Sequence, residues 1–337
     1  MIDTACSGHM VAAARTRVLV TGGCGYVGAR LVRALVEHGS DVVVWSRALP
    51  RCRSAEEYPP AAVRIEAVDL ADATAMRALP EERFDYVYHL AGNTDFMGSV
   101  ERPYDDFRDN VVATVNVLEF IRRCSPKSRL IFSSSAHVYG EGSDVPIAET
   151  MRGEPVSPYG MSKLCAEHYV RLYARTYGLQ TVIARIFPLY GPGLRRYVVF
   201  DFIRKLAADP SVLSIDGDGS QVRDLNYIDN VIDALTVIAE SARFDGDVYN
   251  VASGTQVSIA DLSALIAAAM HVAPRLEFSR KLATGAVARW IPDVSAIKAL
   301  GYRSRVSLKD GLARTVAWFE ADRGGNSPAT SKRESCL

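Results

Sequence analysis

The sequence predicts an α/β protein, a doubly wound parallel sheet covered by helices on both faces, with a smaller C-terminal lobe. Three observations lead there. From Arg17 to Ile186, short β-branched runs alternate with runs of apolar residues at helical spacing. Three glycines, each three residues from the next, sit where the first strand gives way to the first helix. Beyond about Leu189 the alternation loses its regularity, which marks a second lobe.

Arg17–Thr21 is a short run rich in Val, and Tyr26–His38 carries Val27, Leu31, Ala34 and Leu35 at helical spacing. Asp41–Trp45, Val63–Val68 and Tyr86–Leu90 are further strand-like runs. Asp109–Cys124 reads as a helix, Arg129–Ser133 as a strand, Tyr159–Tyr177 as a long helix and Thr181–Ile186 as a strand. Residues 17–188 are therefore expected to carry the sheet, and 189–321 to form mainly the second lobe. Residues 1–16 read as a loose N-terminal arm, and the polar stretch 322–337 as a flexible tail.

Composition bounds the function. The 337 residues are 48% hydrophobic and 23% charged, as expected of a globular chain with a sizeable core. Basic and acidic residues number 39 each, so there is no electrostatic case for a nucleic-acid or anionic-membrane partner. No apolar run approaches the ~20 residues of a membrane span, and Met1 to Arg17 lack the apolar block of a signal peptide. The six cysteines (Cys6, Cys24, Cys52, Cys124, Cys165 and Cys336) form no CxxC, and no histidine cluster stands at zinc spacing. The simplest reading is a reduced, cytoplasmic protein with free thiols and no metal.

The first strand runs into Thr21-Gly22-Gly23-Cys24-Gly25-Tyr26-Val27-Gly28, which fits T-G-x-x-G-x-x-G. Gly22 and Gly25 permit a tight turn and close approach of a pyrophosphate to the backbone. Gly28 lets helix and strand pack closely, and the helix N-terminus, opened by Tyr26 and Val27, favours negative charge. This predicts a Rossmann-type dinucleotide site. The second strand ends Val44-Trp45-Ser46-Arg47, with Arg51 and Arg53 beyond it. The acidic residue that would accept from the ribose 2′-hydroxyl of NAD is absent. Ser46 and Arg47 suit a 2′-phosphate, so the sequence leans to NADP over NAD. Asp69 and Leu70 are placed for the adenine, and Leu90, Ala91 and Gly92 bring small residues against the cofactor.

Tyr159 and Lys163 are four residues apart, one helical turn, on one face. A neighbouring ammonium lowers a phenol's pKa and lets it exchange a proton with an alcohol near neutral pH. Ser133, Ser134 and Ser135 stand at the end of a neighbouring strand and supply a further hydroxyl.

With these motifs the chain resembles the extended short-chain dehydrogenase/reductase family, in its nucleotide-sugar epimerase/dehydratase branch, from about Arg17 to Phe319. The resemblance is carried by TGGCGYVG, HLAG, Asn110 before VVATVNVLE, SSSAHVYG, SPYGMSK, RIFPLYGPG, GDGSQVRDLNYIDN and LGY at Leu300–Tyr302. It implies Tyr159 as acid/base, Lys163 on the nicotinamide ribose, Ser135 as the third hydroxyl, and Asn110 and Ser133 beside the cofactor. It places His137 and Arg223 at the substrate, with Arg223 on the diphosphate. Gly217–Gly219 and Tyr227–Asp229 fall in the substrate lobe. It further implies a nucleotide-sugar substrate and a homodimer.

The departures narrow the reading. Where dehydratases of this branch carry an Asp-Glu pair before Val-Tyr-Gly, this chain has Ala136 and His137. Pro188 replaces the usual Asn after R-x-F, and Ala283-Thr284-Gly285-Ala286 replaces R-P-G-D, with Arg280, Lys281 or Arg289 left to supply charge. The leading expectation is an epimerase acting most simply at sugar C4. The alternatives are an NADPH-dependent keto-sugar reductase, a dehydratase using His137, and a non-catalytic dinucleotide sensor.

Overall fold

The computed structural model describes residues 16–47, 63–141, 145–279 and 289–324. The expected N-terminal arm up to residue 15, nearly all of the tail, Arg51, Arg53, Arg280, Lys281 and the stretch Ala283–Ala286 lie outside the described residues.

Six strands, β1 (Arg17–Thr21), β2 (Asp41–Ser46), β3 (Val63–Ala67), β4 (Tyr86–His89), β5 (Arg129–Ser135) and β6 (Gln180–Ile186), lie in the order β6-β5-β4-β1-β2-β3. All their pairings are parallel. A seventh strand, Asp245–Val251, adds parallel to the outer edge of β6. The sheet thus takes its edge strand from the stretch expected to build mainly the second lobe.

Parallel sheets are covered on both faces, so their strands read as unbroken apolar runs. Val42, Val43, Val44 and Trp45 of β2 are all buried. Alternate residues serve opposite faces. Leu19, Val43, Trp45, Val87, Leu130 and Phe132 pack on one side with α5 (Ala113–Cys124) and α6 (Pro158–Tyr177). Val18, Val20, Val42, Val44 and Ile131 pack on the other with α1 (Tyr26–Glu37) and the later helix Ile228–Ser241.

Strand order reverses between β1 and β4, and ligands of open α/β sheets bind at the carboxyl ends beside such a switch. Thr21 and His89 end those two strands as register partners. β5 runs two residues further than the sequence suggests, because Ser133–Ser135 continue the ladder against Ala184–Ile186. The helix expected over Asp109–Cys124 begins instead as a π-helical turn, Arg108–Val112, after two short helices, α3 (Phe96–Glu101) and α4 (Pro103–Phe107).

The second lobe holds α7 (Tyr197–Ala208), a parallel pair Val212–Ile215 with Arg275–Phe278, an antiparallel pair Val222–Asp224 with Gln256–Ser258, and helices Ile259–Ala269 and Leu308–Gly324. Asn250, in the seventh strand, ties it to the sheet. Its amide donates to the carbonyls of Ile147 (2.8 Å) and Asp293 (3.0 Å), and its Oδ1 accepts from the Tyr139 hydroxyl at 2.6 Å.

The expectation of six free thiols is corrected. Cys24, in the glycine turn, is disulfide-bonded, whereas Cys124 and Cys165 are free. The absence of a CxxC spacing misled, because a disulfide needs proximity in space and not in sequence. Among the described residues no helix is long and apolar enough to cross a membrane.

Candidate active site

The glycine turn closes tightly over the end of β1. The Gly25 amide donates to the Gly22 carbonyl at 2.9 Å, and Gly25 is the N-cap of α1, which has no side-chain cap. Its first amides therefore face outward as an anion site. A Cβ on Gly28 would collide with the Gly22 carbonyl oxygen and lie 2.8 Å from Gly23 Cα, so only glycine permits this contact of helix and turn. Gly23, which the motif leaves unspecified, is also constrained: a Cβ there would meet Val44 at 2.7 Å. These features fit a dinucleotide pyrophosphate.

Around that turn the predicted cofactor residues converge unevenly. Leu90 and Ala91 follow β4, and the Ala91 amide donates to the Thr21 hydroxyl at 3.3 Å. Asp69 is exposed and accepts from the Ala71 amide at 3.0 Å; Leu70 is buried, and its carbonyl accepts from the Asn116 side chain at 2.8 Å. Ser46 ends β2 half-buried. Arg47 is 59% exposed, and its guanidinium is held on the Asp109 carboxylate at 3.1 and 3.2 Å. Tyr26 lies under the Arg30 guanidinium, 5.1 Å from its ring centroid, and its buried hydroxyl has no hydrogen-bond partner among the described residues.

A buried chain of hydrogen bonds that sequence reasoning missed fixes the switch point. Thr21 Oγ1 meets His89 Nδ1 at 2.7 Å, and His89 Nε2 meets Thr114 Oγ1 at 3.0 Å. Thr114 donates to the Asn110 carbonyl at 2.5 Å. That last bond uses the Thr114 proton, so His89 donates through Nε2 and accepts from Thr21 through Nδ1. Burial, reinforced by the Lys163 charge, pushes His89 down to about 3, and the ring is neutral. The chain joins Thr21, His89 and Thr114 from three elements far apart in sequence, so no local motif carries it.

The catalytic candidates come from β5 and α6. Ser157 caps α6 by accepting from the Gly160 amide at 3.1 Å, Pro158 opens it and Gly178 closes it in a left-handed conformation. Tyr159 and Lys163 then fall on its buried face, 6% and 3% exposed. Lys163 Nζ donates to the Ser133 carbonyl at 3.2 Å and lies 5.3 Å from the Phe132 ring centroid. The Ser135 hydroxyl stands beside the Tyr159 phenol, and its Oγ lies 3.1 Å from His137 Nδ1. The sequence expectation of a lowered phenol pKa meets a stronger opposing effect here. Burial pushes Tyr159 up to about 12, although the Ser135 hydroxyl pulls it down. Burial also brings Lys163 down to about 8, against the opposite pull of Asp106 and Glu167.

His137 closes the site as part of an aromatic box. Its ring centroid is 4.8 Å from Trp290, 5.0 Å from Phe96 and 5.3 Å from Tyr159. Burial, then the nearby Arg223 charge, lowers its pKa to about 4. Arg223 itself lies 5.8 Å from the Trp290 ring centroid, and its NH1 donates to the Val222 carbonyl at 2.9 Å. Phe96, which opens α3, and Trp290 were not anticipated, being single aromatics outside any periodic run. Nor was Tyr197, whose φ of 70° is unusual for a bulky residue and whose neighbour Arg196 donates to Thr94 at 3.0 Å. Two hydroxyls and an ammonium so arranged can exchange a proton with an alcohol while a dinucleotide exchanges hydride. Among the described residues no cluster of His, Cys, Asp or Glu is arranged to hold a metal.

Comparisons with known proteins agree on one family. Residues 18–252 match the model of the NAD dependent epimerase/dehydratase family. The UDP-glucose 4-epimerase of Mycolicibacterium smegmatis is 31% identical over 313 residues, covering 90% of this chain and 98% of its own. The crystal structure of a UDP-glucose 4-epimerase with UDP-glucose from Thermotoga maritima superposes with a TM-score of 0.82 at 30% identity, over 91% of this chain and all of that one. A dTDP-glucose 4,6-dehydratase from Streptomyces venezuelae, crystallised with NAD, superposes with a TM-score of 0.81 at 27% identity, over 92% and 98%.

Proposed function

This chain belongs to the NAD dependent epimerase/dehydratase family, and from that premise we propose that it is a nucleotide-sugar epimerase acting at sugar C4 through a transient keto-sugar. One observation carries the choice within the family. The Ser135, Tyr159 and Lys163 set is complete, while Ala136 and His137 stand where water elimination needs a carboxyl pair. His137 is a poor substitute, because burial holds it neutral at physiological pH and its Nδ1 lies on Ser135. The relatives that are named as 4-epimerases support the same choice.

In this reading Tyr159 takes the proton of the C4 hydroxyl as hydride leaves C4, and returns it when hydride comes back. Ser135 hydrogen-bonds the same oxygen, and Lys163 fixes the ribose and favours the phenolate. When bound, the dinucleotide supplies the hydride acceptor, and its cationic nicotinamide opposes the effect of burial on Tyr159. Inversion requires return to the opposite face, so the ketone must turn over inside the site. Residues 17–188 hold the dinucleotide, with Gly22, Gly25, Gly28, Leu90, Ala91, Gly92, Asn110 and Ser133 around it, and residues 189–321 hold mainly the substrate, with Arg223 on its diphosphate.

We propose NAD as the cofactor. The lean to NADP rested on Ser46 and Arg47, but Asp109 already neutralises that guanidinium and would repel a 2′-phosphate. NAD accompanies the dehydratase structure. A homodimer is supported by exposed apolar residues on adjoining helices: Met97, Val100, Tyr104 and Phe107 beside Met161, Tyr169 and Leu172 of α6.

Product analysis on UDP-glucose and UDP-galactose tests the reading. The expected product has unchanged mass and an inverted C4, with no net consumption of dinucleotide. A product lighter by one water, or heavier by two hydrogens with NADPH consumed, overturns it.

A further inference from the structure

A buried carboxylate stands beside this site. Asp106, in α4, is 0% exposed. Its Oδ1 accepts from two amides, Asn93 Nδ2 and Asn110 Nδ2, each at 3.0 Å. Its Oδ2 is buried without a hydrogen-bond partner among the described residues, and so is Asn110 Oδ1. Such a group is costly unless a charge answers it.

Lys163 is the buried ammonium whose charge Asp106 supports. A Cβ built on Gly92, whose φ is 158°, would collide with Asn110 Oδ1 and lie 3.1 Å from Lys163 Nζ, so amide and ammonium border one point in space. The other groups facing Lys163 leave the role open. Glu167, on the same helix, is already bound bidentately by Arg185 at 2.9 and 2.7 Å and accepts from Ser134 at 2.6 Å. His89 of β4 is neutral. Phe132 of β5 offers a ring, Ser133 a carbonyl and Tyr159 a phenol. Among the described residues no arginine or lysine, Lys163 included, stands within 4 Å of the Asp106 carboxylate, so the two charges act across a longer buried separation with the Asn110 amide between them.

We infer that Asp106 is a positioning residue, the buried counter-charge that keeps Lys163 an ammonium beside the cofactor ribose, its carboxylate aimed by Asn93 and Asn110. The inference rests on the proposed role of Lys163 but not on the identity of the sugar. Two cations, Lys163 and an oxidised nicotinamide, would otherwise share a dry site, where like charges repel strongly. The direction of the Lys163 shift agrees, since Asp106 holds it up against burial. Asp106 also opposes ionisation of Tyr159, so its benefit lies in holding Lys163 charged and placed.

A stability cycle with a pH profile tests this. Asp106→Asn and Lys163→Met should each lower the unfolding midpoint of the purified protein. The double variant should be more stable than either single one, because no buried charge is left unanswered. That rescue is readable even if Asp106→Asn alone fails to fold. NAD affinity of the wild type should weaken above about pH 8. In Asp106→Asn the same loss should begin about 1–3 units lower, and Asp106→Glu should restore much of it. A double variant no more stable than the weaker single, or superimposable affinity profiles, overturns the proposal. A positive cycle in a protein that fails to invert C4 would sink the epimerase reading alone.

Discussion

Two histidines stand at the carboxyl ends of neighbouring strands, His89 on β4 and His137 just past β5, and both are held neutral by burial. The likeness ends there. His89 has both ring nitrogens engaged, by Thr21 and Thr114, and those hydroxyls are engaged in turn. His137 has one nitrogen on Ser135 and is otherwise walled by aromatic rings, beside the phenol proposed to move the proton. A lowered pKa is thus shared by a framework residue and a site-lining one. What separates them is whether every donor and acceptor is already satisfied by the fold.

The largest effect expected on that contrast belongs to neither histidine. Tyr159→Phe should cut turnover by about 10²–10⁴-fold while leaving folding and NAD binding in place, because it removes only the proton-transfer hydroxyl. Near wild-type turnover at saturating substrate would show that the β5 side is framework too. Next comes His89→Leu, which leaves two buried hydroxyls short of a partner and should cost about 2–4 kcal/mol in chemical denaturation. A loss below about 1 kcal/mol would show the chain to be dispensable. His137→Leu fills the same aromatic box and should change turnover less than about tenfold, with product mass unaltered. Loss of product formation with hydride transfer intact would move His137 into the chemistry.

The contrast can also be read in the pH dependence of stability. Both imidazoles sit below their ordinary value of 6.5, at about 3 and about 4 in the folded chain. The unfolded chain therefore binds protons that the folded one refuses. Their contribution is complete above about pH 6.5 and is lost as pH falls toward 4 and then 3, at up to ~1.4 kcal/mol per unit for each ring. Denaturation midpoints between pH 7 and 4 should fall less steeply in His89→Leu. An unchanged slope would mean that His89 is not held neutral.

The dinucleotide half was legible in the sequence because its signals are local. The glycine turn, the valine runs and the Tyr159–Lys163 spacing each follow from the geometry of one element. Asp106, Phe96 and Trp290 stayed hidden because their meaning depends on contacts between segments far apart in the chain. Arg47 shows a subtler failure: the side chain was recognised, but Asp109, its partner 62 residues on, was not visible from position 47. The Cys24 disulfide escaped for the same reason, since spacing is silent about cysteines that meet only after folding.

The seventh strand of the sheet also sets an order in time. The edge of β6 is complete at Ile186, but Asp245, the first residue that covers it, comes 59 positions later. At a synthesis rate of about 5–20 residues per second, that edge stands open for about 3–12 s in every new chain. An uncovered parallel edge invites pairing with other chains. The nascent protein is therefore most exposed to aggregation before its second lobe is made, and a chain cut short between those positions keeps that exposure permanently.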